Sequence, residues 1–191
     1  LRKSLFRLLH QPAVSMGLMA CGLFFMGQFA LFTYVRPFLE TVTHVSPSGL
    51  SLILLTIGIA GFIGTLIVAL VLNAAFYLTL MAIPLLMTLI AGVLMLTGDS
   101  LWIVALLLGF WGMLATAAPT GWWMWIARTL PEDAEAGGGL MVAVIQLSIA
   151  LGSTAGGVVF DTFGWQSTFA LSSILLLSAG VLTFTTSRHR K

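Results

Sequence analysis

Two glutamines stand deep in long apolar runs, Gln28 and Gln146. A primary amide offers two donors and an acceptor, and in hydrocarbon it must face protein or a watery cavity. Interhelical hydrogen bonding and cavity lining would each satisfy that demand. At 3.6 residues per turn, Gln28 shares a helix face with Phe32 and Val35, with Arg36 toward the edge. Such a face suits a polar, partly aromatic solute. Arg36 lies just before Pro37 and one turn ahead of Glu40. Its plain account is snorkelling toward headgroups, helped by an i, i+4 pair; its functional account is a gate or an anion-binding group. Trp122, Trp123 and Trp125 precede Arg128, the usual setting of an interfacial aromatic belt. The alternative turns Trp122 or Trp125 inward to stack on a planar solute, with Thr116 and Thr120 hydrogen-bonding nearby. The candidate substrate-binding residues are therefore Gln28, Phe32, Arg36, Thr120, Trp122 and Gln146. Their chemistry is recognition, not bond-making.

The missing chemistry narrows the reading further. All six acids lie at the ends of apolar runs or between them, and the three histidines do the same. Embedded carboxylates and imidazoles are the usual proton relays, so any proton coupling must come from elsewhere. No Gly-x-Ser-x-Gly elbow, His-Glu-x-x-His or P-loop pattern is present, which argues against an enzyme and against a cofactor. Cys21 is the single cysteine; it excludes an internal disulfide and a thiolate metal cluster, and as part of an apolar helix it simply packs.

The elements that must position these residues follow from composition. Hydrophobic residues make up 59% of the chain and charged ones 7%, and the mean hydropathy is +1.09; a soluble domain carries roughly a quarter charged residues. Between Glu40 and Asp99 no residue bears a formal charge except His44 when protonated. That interval fits two crossings of about 20 residues each. Apolar runs bounded by turn and charge signals predict spans over 13–39, 49–72, 76–97, 101–126, 138–160 and 167–186. The fold class is thus an all-α membrane protein with six transmembrane helices, one half-domain over residues 1–191. The basic Leu1–Gln11 segment and the length of the apolar run behind it do not fit a cleavable signal. The first residue is Leu, not Met, which suggests a fragment.

Lysines and arginines mark the side retained in the cytoplasm. Arg2, Lys3 and Arg7 precede the first span, Arg128 follows the fourth, and Arg188, Arg190 and Lys191 follow the sixth; Arg36 falls opposite, with Glu40, Asp99 and Asp161. Both termini are expected in the cytoplasm. The basic residues at the chain ends form no nucleic-acid patch, and anionic lipid headgroups explain them better. Connections of about ten residues after the first and fourth spans, and short ones after the second and fifth, give a three-plus-three plan. An offset of 92 places Gly17 on Gly109, Arg36 on Arg128, Glu40 on Glu132 and Gly64 on Gly156. Three being odd, two such units lie inverted in the membrane. Small residues recur on the second span (Gly58, Gly61, Gly64) and the fifth (Gly152, Ser153, Gly156, Gly157), where helices packing in lipid need them.

Three stretches carry a resemblance: Gly27-Gln-Phe-Ala through Phe32-Thr-Tyr-Val-Arg-Pro, Gly121-Trp-Trp-Met-Trp-Ile-Ala-Arg, and Val142-Ala-Val-Ile-Gln-Leu followed by Gly156-Gly and Asp161. With these, nearly the whole chain resembles the C-terminal half of a major facilitator superfamily transporter, nearest to drug:proton antiporters of the sugar and purine-ribonucleoside efflux branch. The resemblance implies a bacterial inner-membrane exporter working by alternating access, these spans being helices seven to twelve. Spans one, two, four and five would then line the path, and spans three and six would pack outside. Its partners would be the bilayer, a small-molecule substrate and the missing N-terminal half, or a second copy if the chain is a natural half. Many members carry a basic, glycine-containing loop between helices eight and nine; Asn73-Ala-Ala-Phe stands there here. Two other classes remain: a permease domain meeting an ATPase through the Arg128–Gly137 loop, and a non-transporting scaffold.

Overall fold

The computed structural model describes the backbone of residues 2–189 and the side chains of residues 6–189. Arg190 and Lys191, and the side chains of Arg2 and Lys3, lie outside the described residues. The elements are α1 (Arg2–Leu9), α2 (Pro12–Phe32), α3 (Val35–Thr41), α4 (Pro47–Ala74), α5 (Phe76–Thr97), α6 (Leu101–Thr129), α7 (Ala134–Phe163) and α8 (Trp165–Arg188). Six segments are long and apolar enough to cross a membrane, the first formed by α2 and α3 together. These helices are apolar on every side, as lipid-embedded helices are, and no strand occurs among the described residues.

The expected spans are all present, the third with the predicted ends, and the differences have local causes. The first span is broken at Thr33 and Tyr34, where Tyr34 leaves helical geometry at φ −108° and ψ 13°. Pro37 has no N–H for the Thr33 carbonyl, and its ring crowds that carbonyl. The ten-residue connection expected after the fourth span shrinks to residues 130–133, because α6 runs on through Arg128 and α7 begins at Ala134. Gly137 to Gly139 are helical. Gly137 sits there because Ile126 and Leu130 lie where a side chain would go.

The helices pair in a pattern that maps onto itself when the first three spans are exchanged with the last three. The first span packs on α7 as α4 packs on α6; it packs on α8 as α6 packs on α5; and α5 meets α8 across the centre. A three-plus-three arrangement is thereby realised. Its seams are made of glycine. A Cβ on Gly64 would strike the Met113 carbonyl of α6, and one on Gly156 would lie 2.6 Å from the Ala30 carbonyl oxygen of α2. The two positions are related by the 92-residue offset. Gly58 differs from the expectation: nothing lies within 4 Å of its missing Cβ.

The two ends of the bundle differ in charge. Arg7 reaches Asp133 at 3.5 Å, joining α1 to the α6–α7 connection. Arg128 lies over Phe76 at the start of α5, and Arg188 borders the start of α2. Arg7, Arg128 and Arg188 therefore share one end. At the other end Thr43 donates to the Gly98 carbonyl at 2.7 Å, and Phe38 meets Trp165 with ring centroids 5.0 Å apart. Arg36 belongs there.

Candidate functional site

The six candidate residues do not form one cluster. On α2, Gly22, Met26 and Ala30 meet Ser148, Gly152 and Gly156 of α7. Gln28 stands two residues from Met26, and Gln146 two residues from Ser148, so each points to the far side of its helix from this seam. Matching Gly22 with Ser148 puts Gln28 level with Thr154, eight residues or roughly 12 Å along the axis from Gln146. Gln28 is half-buried, and its Oε1 is sealed from solvent without a hydrogen-bond partner. Gln146 is exposed.

The shared face expected for Gln28, Phe32, Val35 and Arg36 ends at Phe32, because the break at Thr33 and Tyr34 re-aims the chain beyond it. Phe32 is half-buried against the core, Val35 is buried in it, and Arg36 is exposed. Arg36 Nε donates to Glu40 Oε1 at 2.9 Å across an open surface. The tryptophan segment divides between its two sequence readings, two rings inward and one outward. Trp122 and Trp125 are 2% and 0% exposed and meet edge to face, with ring centroids 5.5 Å apart, while Trp123 is 43% exposed. Trp122 offers no open face to a solute in this structure, because α6 turns it inward. Thr116 lies against Gly61 of α4, and Thr120, one turn on, follows it along the same stripe of α6.

Sequence reasoning missed a polar knot at the bend of the first span. Tyr34 OH donates to the Ser153 carbonyl at 2.6 Å, Thr33 Oγ1 and Ser153 Oγ lie 3.0 Å apart, and the Tyr34 ring stacks on Phe160 at 5.4 Å. Pro37 was the available signal, since it frees the Thr33 carbonyl and opens the backbone four residues before it. Trp111 was missed as well; its Nε1, like that of Trp125, is buried without a hydrogen-bond partner. Buried polar groups ordinarily find partners, so these donors and the Gln28 acceptor mark a core that is polar without being satisfied.

The exposed surface of α7 splits into two stripes. Gly139, Ala143, Gln146, Ala150 and Thr154 share one sector, and Leu147, Leu151 and Val158 share an adjoining one. The first is small and weakly polar, the second fully aliphatic. Lipid tails match the second; the first has the small, hydrogen-bonding side chains that helices use against other helices. Chemically, the first stripe offers exposed hydrogen-bonding groups at Gln146 and Thr154.

Along nearly its whole length the chain is similar to larger proteins. It is 60% identical over 187 residues, 98% of the chain and 46% of the relative, to a Pseudomonas aeruginosa protein named transcription regulatory protein OpdE. It is 40% identical over 176 residues, 92% of the chain and 44% of the relative, to the purine ribonucleoside efflux pump NepI of Salmonella enteritidis and of Salmonella typhimurium. No family model matches it. The chain spans somewhat under half the length of these curated relatives, and its six membrane-length helices are similar in sequence to a portion of an efflux pump.

Proposed function

We propose that the chain is the C-terminal half, helices seven to twelve, of a major facilitator superfamily exporter, moving small polar or amphiphilic solutes by alternating access, driven by proton entry. The observation that carries this reading is the 40% identity to purine ribonucleoside efflux pumps over 92% of the chain. The paired three-plus-three bundle supports it, since inverted repeats are the building plan of each half of such transporters. By the positive-inside rule the end bearing Arg7, Arg128 and Arg188 faces the cytoplasm, as in a bacterial inner-membrane protein with both termini inside.

In this reading Gln28, Phe32, Thr120 and Gln146 line one side of a cavity whose other side belongs to the N-terminal half. The small, weakly polar stripe of α7 faces that half, and the leucine stripe faces lipid. Arg36, paired with Glu40 on an open surface, stands at the outer mouth. Trp122 braces the cavity wall from within. The glycine seams hold α7 on the first span and α4 on α6 as two stiff pairs, so rocking takes place between halves. All six acids stand near span ends or in connections, so the proton switch belongs to the other half.

Efflux of a radiolabelled purine ribonucleoside from cells expressing the full-length gene product tests the proposal. Export above the empty-vector level that collapses on adding a protonophore is the expected result. Unchanged retention of label in expressing cells would refute the exporter reading, and protonophore-insensitive export would refute the coupling.

A further inference from the structure

At the Arg7 end of the bundle two cavities meet at Ala13. One, of about 330 Å³, is lined by Ala13, Phe76, Tyr77, Arg128 and Thr129. The other, of about 460 Å³, is lined by Gln11, Pro12, Ala13, Arg188 and His189. Each holds an arginine that lacks an acid: the ion pairs among the described residues are Arg7–Asp133 and Arg36–Glu40. Glu132 follows Arg128 by four residues, but α6 ends at Thr129, so no helical i, i+4 pairing forms. The Arg128 guanidinium lies instead 4.4 Å from the Phe76 ring centroid, and that of Arg188 lies 5.2 Å from the Phe184 ring centroid. Both sit close to aromatic faces and are open on the side away from them.

Two helix starts open onto the same groove. Neither Gln11 before α2 nor Ala75 before α5 caps its helix with a side chain, so first-turn N–H groups there lack side-chain acceptors. Both helix dipoles favour an anion at these points. Farther along α8 the stripe that carries Arg188 turns apolar, with Phe184, Val181 and Leu177 exposed. Cationic heads at the end of the bundle and bare hydrocarbon beyond them match an amphiphile with an anionic head.

We propose that this groove, from Arg128 past Ala13 to Arg188, binds the phosphate of an anionic phospholipid whose acyl chains lie along α8. Arginine suits the task, since its fork donates to phosphate oxygens in pairs. The site is independent of what the protein transports.

The test is binding of short-chain phosphatidylglycerol to the full-length gene product in detergent, followed by native mass spectrometry, with short-chain phosphatidylcholine and glycerol 3-phosphate as comparison ligands. Phosphatidylglycerol is expected to bind at least about fivefold tighter than phosphatidylcholine, the margin one surface arginine supplies. Arg128→Gln removes most of that margin and Arg128→Lys less of it. Arg7→Gln, the same charge change at the same end, leaves it in place. Equal binding of the two lipids, or an undiminished preference in Arg128→Gln, would overturn the proposal. Glycerol 3-phosphate binding as tightly as phosphatidylglycerol would overturn the lipid assignment in favour of a soluble phosphate. Should Arg128→Gln fail to fold, Arg188→Gln is read by the same criteria.

Discussion

Replacing Gly152 by alanine puts the seam between α2 and α7 under direct test. The added Cβ would collide with the Met26 carbonyl oxygen and lie 2.9 Å from both Met26 Cα and its carbonyl carbon. Carbon atoms settle at about 3.5–4.0 Å, so α7 must withdraw by roughly 0.6–1.1 Å. The obstacle is backbone and cannot rotate aside. Overpacking of this kind costs about 1–3 kcal/mol, and alanine's better helix propensity returns up to about 1 kcal/mol. A net loss near 1–2 kcal/mol lowers Tm by roughly 3–6 °C for a chain of this size. Gly58→Ala is the matched comparison: no heavy atom lies within 4 Å of that Cβ, leaving the propensity gain of about 1 kcal/mol and a Tm equal to or slightly above wild type. Thermal unfolding of the two purified variants in detergent, followed by tryptophan fluorescence, gives the comparison. A Gly152→Ala protein as stable as wild type, or a Gly58→Ala protein equally damaged, would refute the packing argument.

Gly17→Ala drives a methyl into the Trp125 indole, so it should destabilise strongly alone and less beside Trp125→Phe; strictly additive effects in the double-mutant cycle would rule out the contact, since touching residues couple by about 0.5–3 kcal/mol. Tyr34→Phe deletes the 2.6 Å bond to the Ser153 carbonyl while keeping the ring against Phe160, for an expected loss of about 0.5–1.5 kcal/mol in urea unfolding; an unchanged midpoint would count against it. Arg36→Ala and Arg36→Lys should leave stability within about 1 kcal/mol, because the paired side chains are 72% and 49% exposed and such pairs contribute little. Their efflux rates then isolate function: unchanged transport at normal expression removes any gating role. Gln28→Met relieves an unpaired buried acceptor, so the chain should be no less stable while efflux falls; full efflux would take Gln28 out of the cavity wall.

The spans were legible because hydropathy alone sets them: uncharged intervals of membrane length admit little else. Phe76–Thr97 needed no correction, since the chain breaks at Ala75, directly before it, although Asn73 and Ala74 continue α4. Side-chain direction was less legible. Trp122 and Trp123 are neighbours in a composition that is apolar all round, so periodicity could not say which of them faces inward; packing against Trp125 and the bundle decided it. The glycines misled in both directions. Gly137 was expected in the loop, yet a helical glycine also serves close approach, and Gly137 does so against Ile126 and Leu130. Gly58 looked like seam and is open. The two glutamines stand out in their apolar runs, but nothing local to either residue says that α2 and α7 meet through Met26 and Gly152, which turns both amides away from each other.

The internal repeat explains which of these features the fold must keep. Gly64 and Gly156 stand at equivalent positions, each with a partner helix's carbonyl where its side chain would be, on spans exchanged by the three-plus-three symmetry. Backbone approach leaves no alternative residue there. Arg36 and Arg128 are equivalent by the same offset, with Glu40 and Glu132 following each by four residues, but the charges diverge. Arg36 and Glu40 both lie in α3 and pair at 2.9 Å, whereas α6 stops one residue after Arg128 and leaves it over Phe76. The two copies are therefore held alike at their seams and differ at their ends, where one arginine is neutralised by its neighbour and the other remains available to an anion.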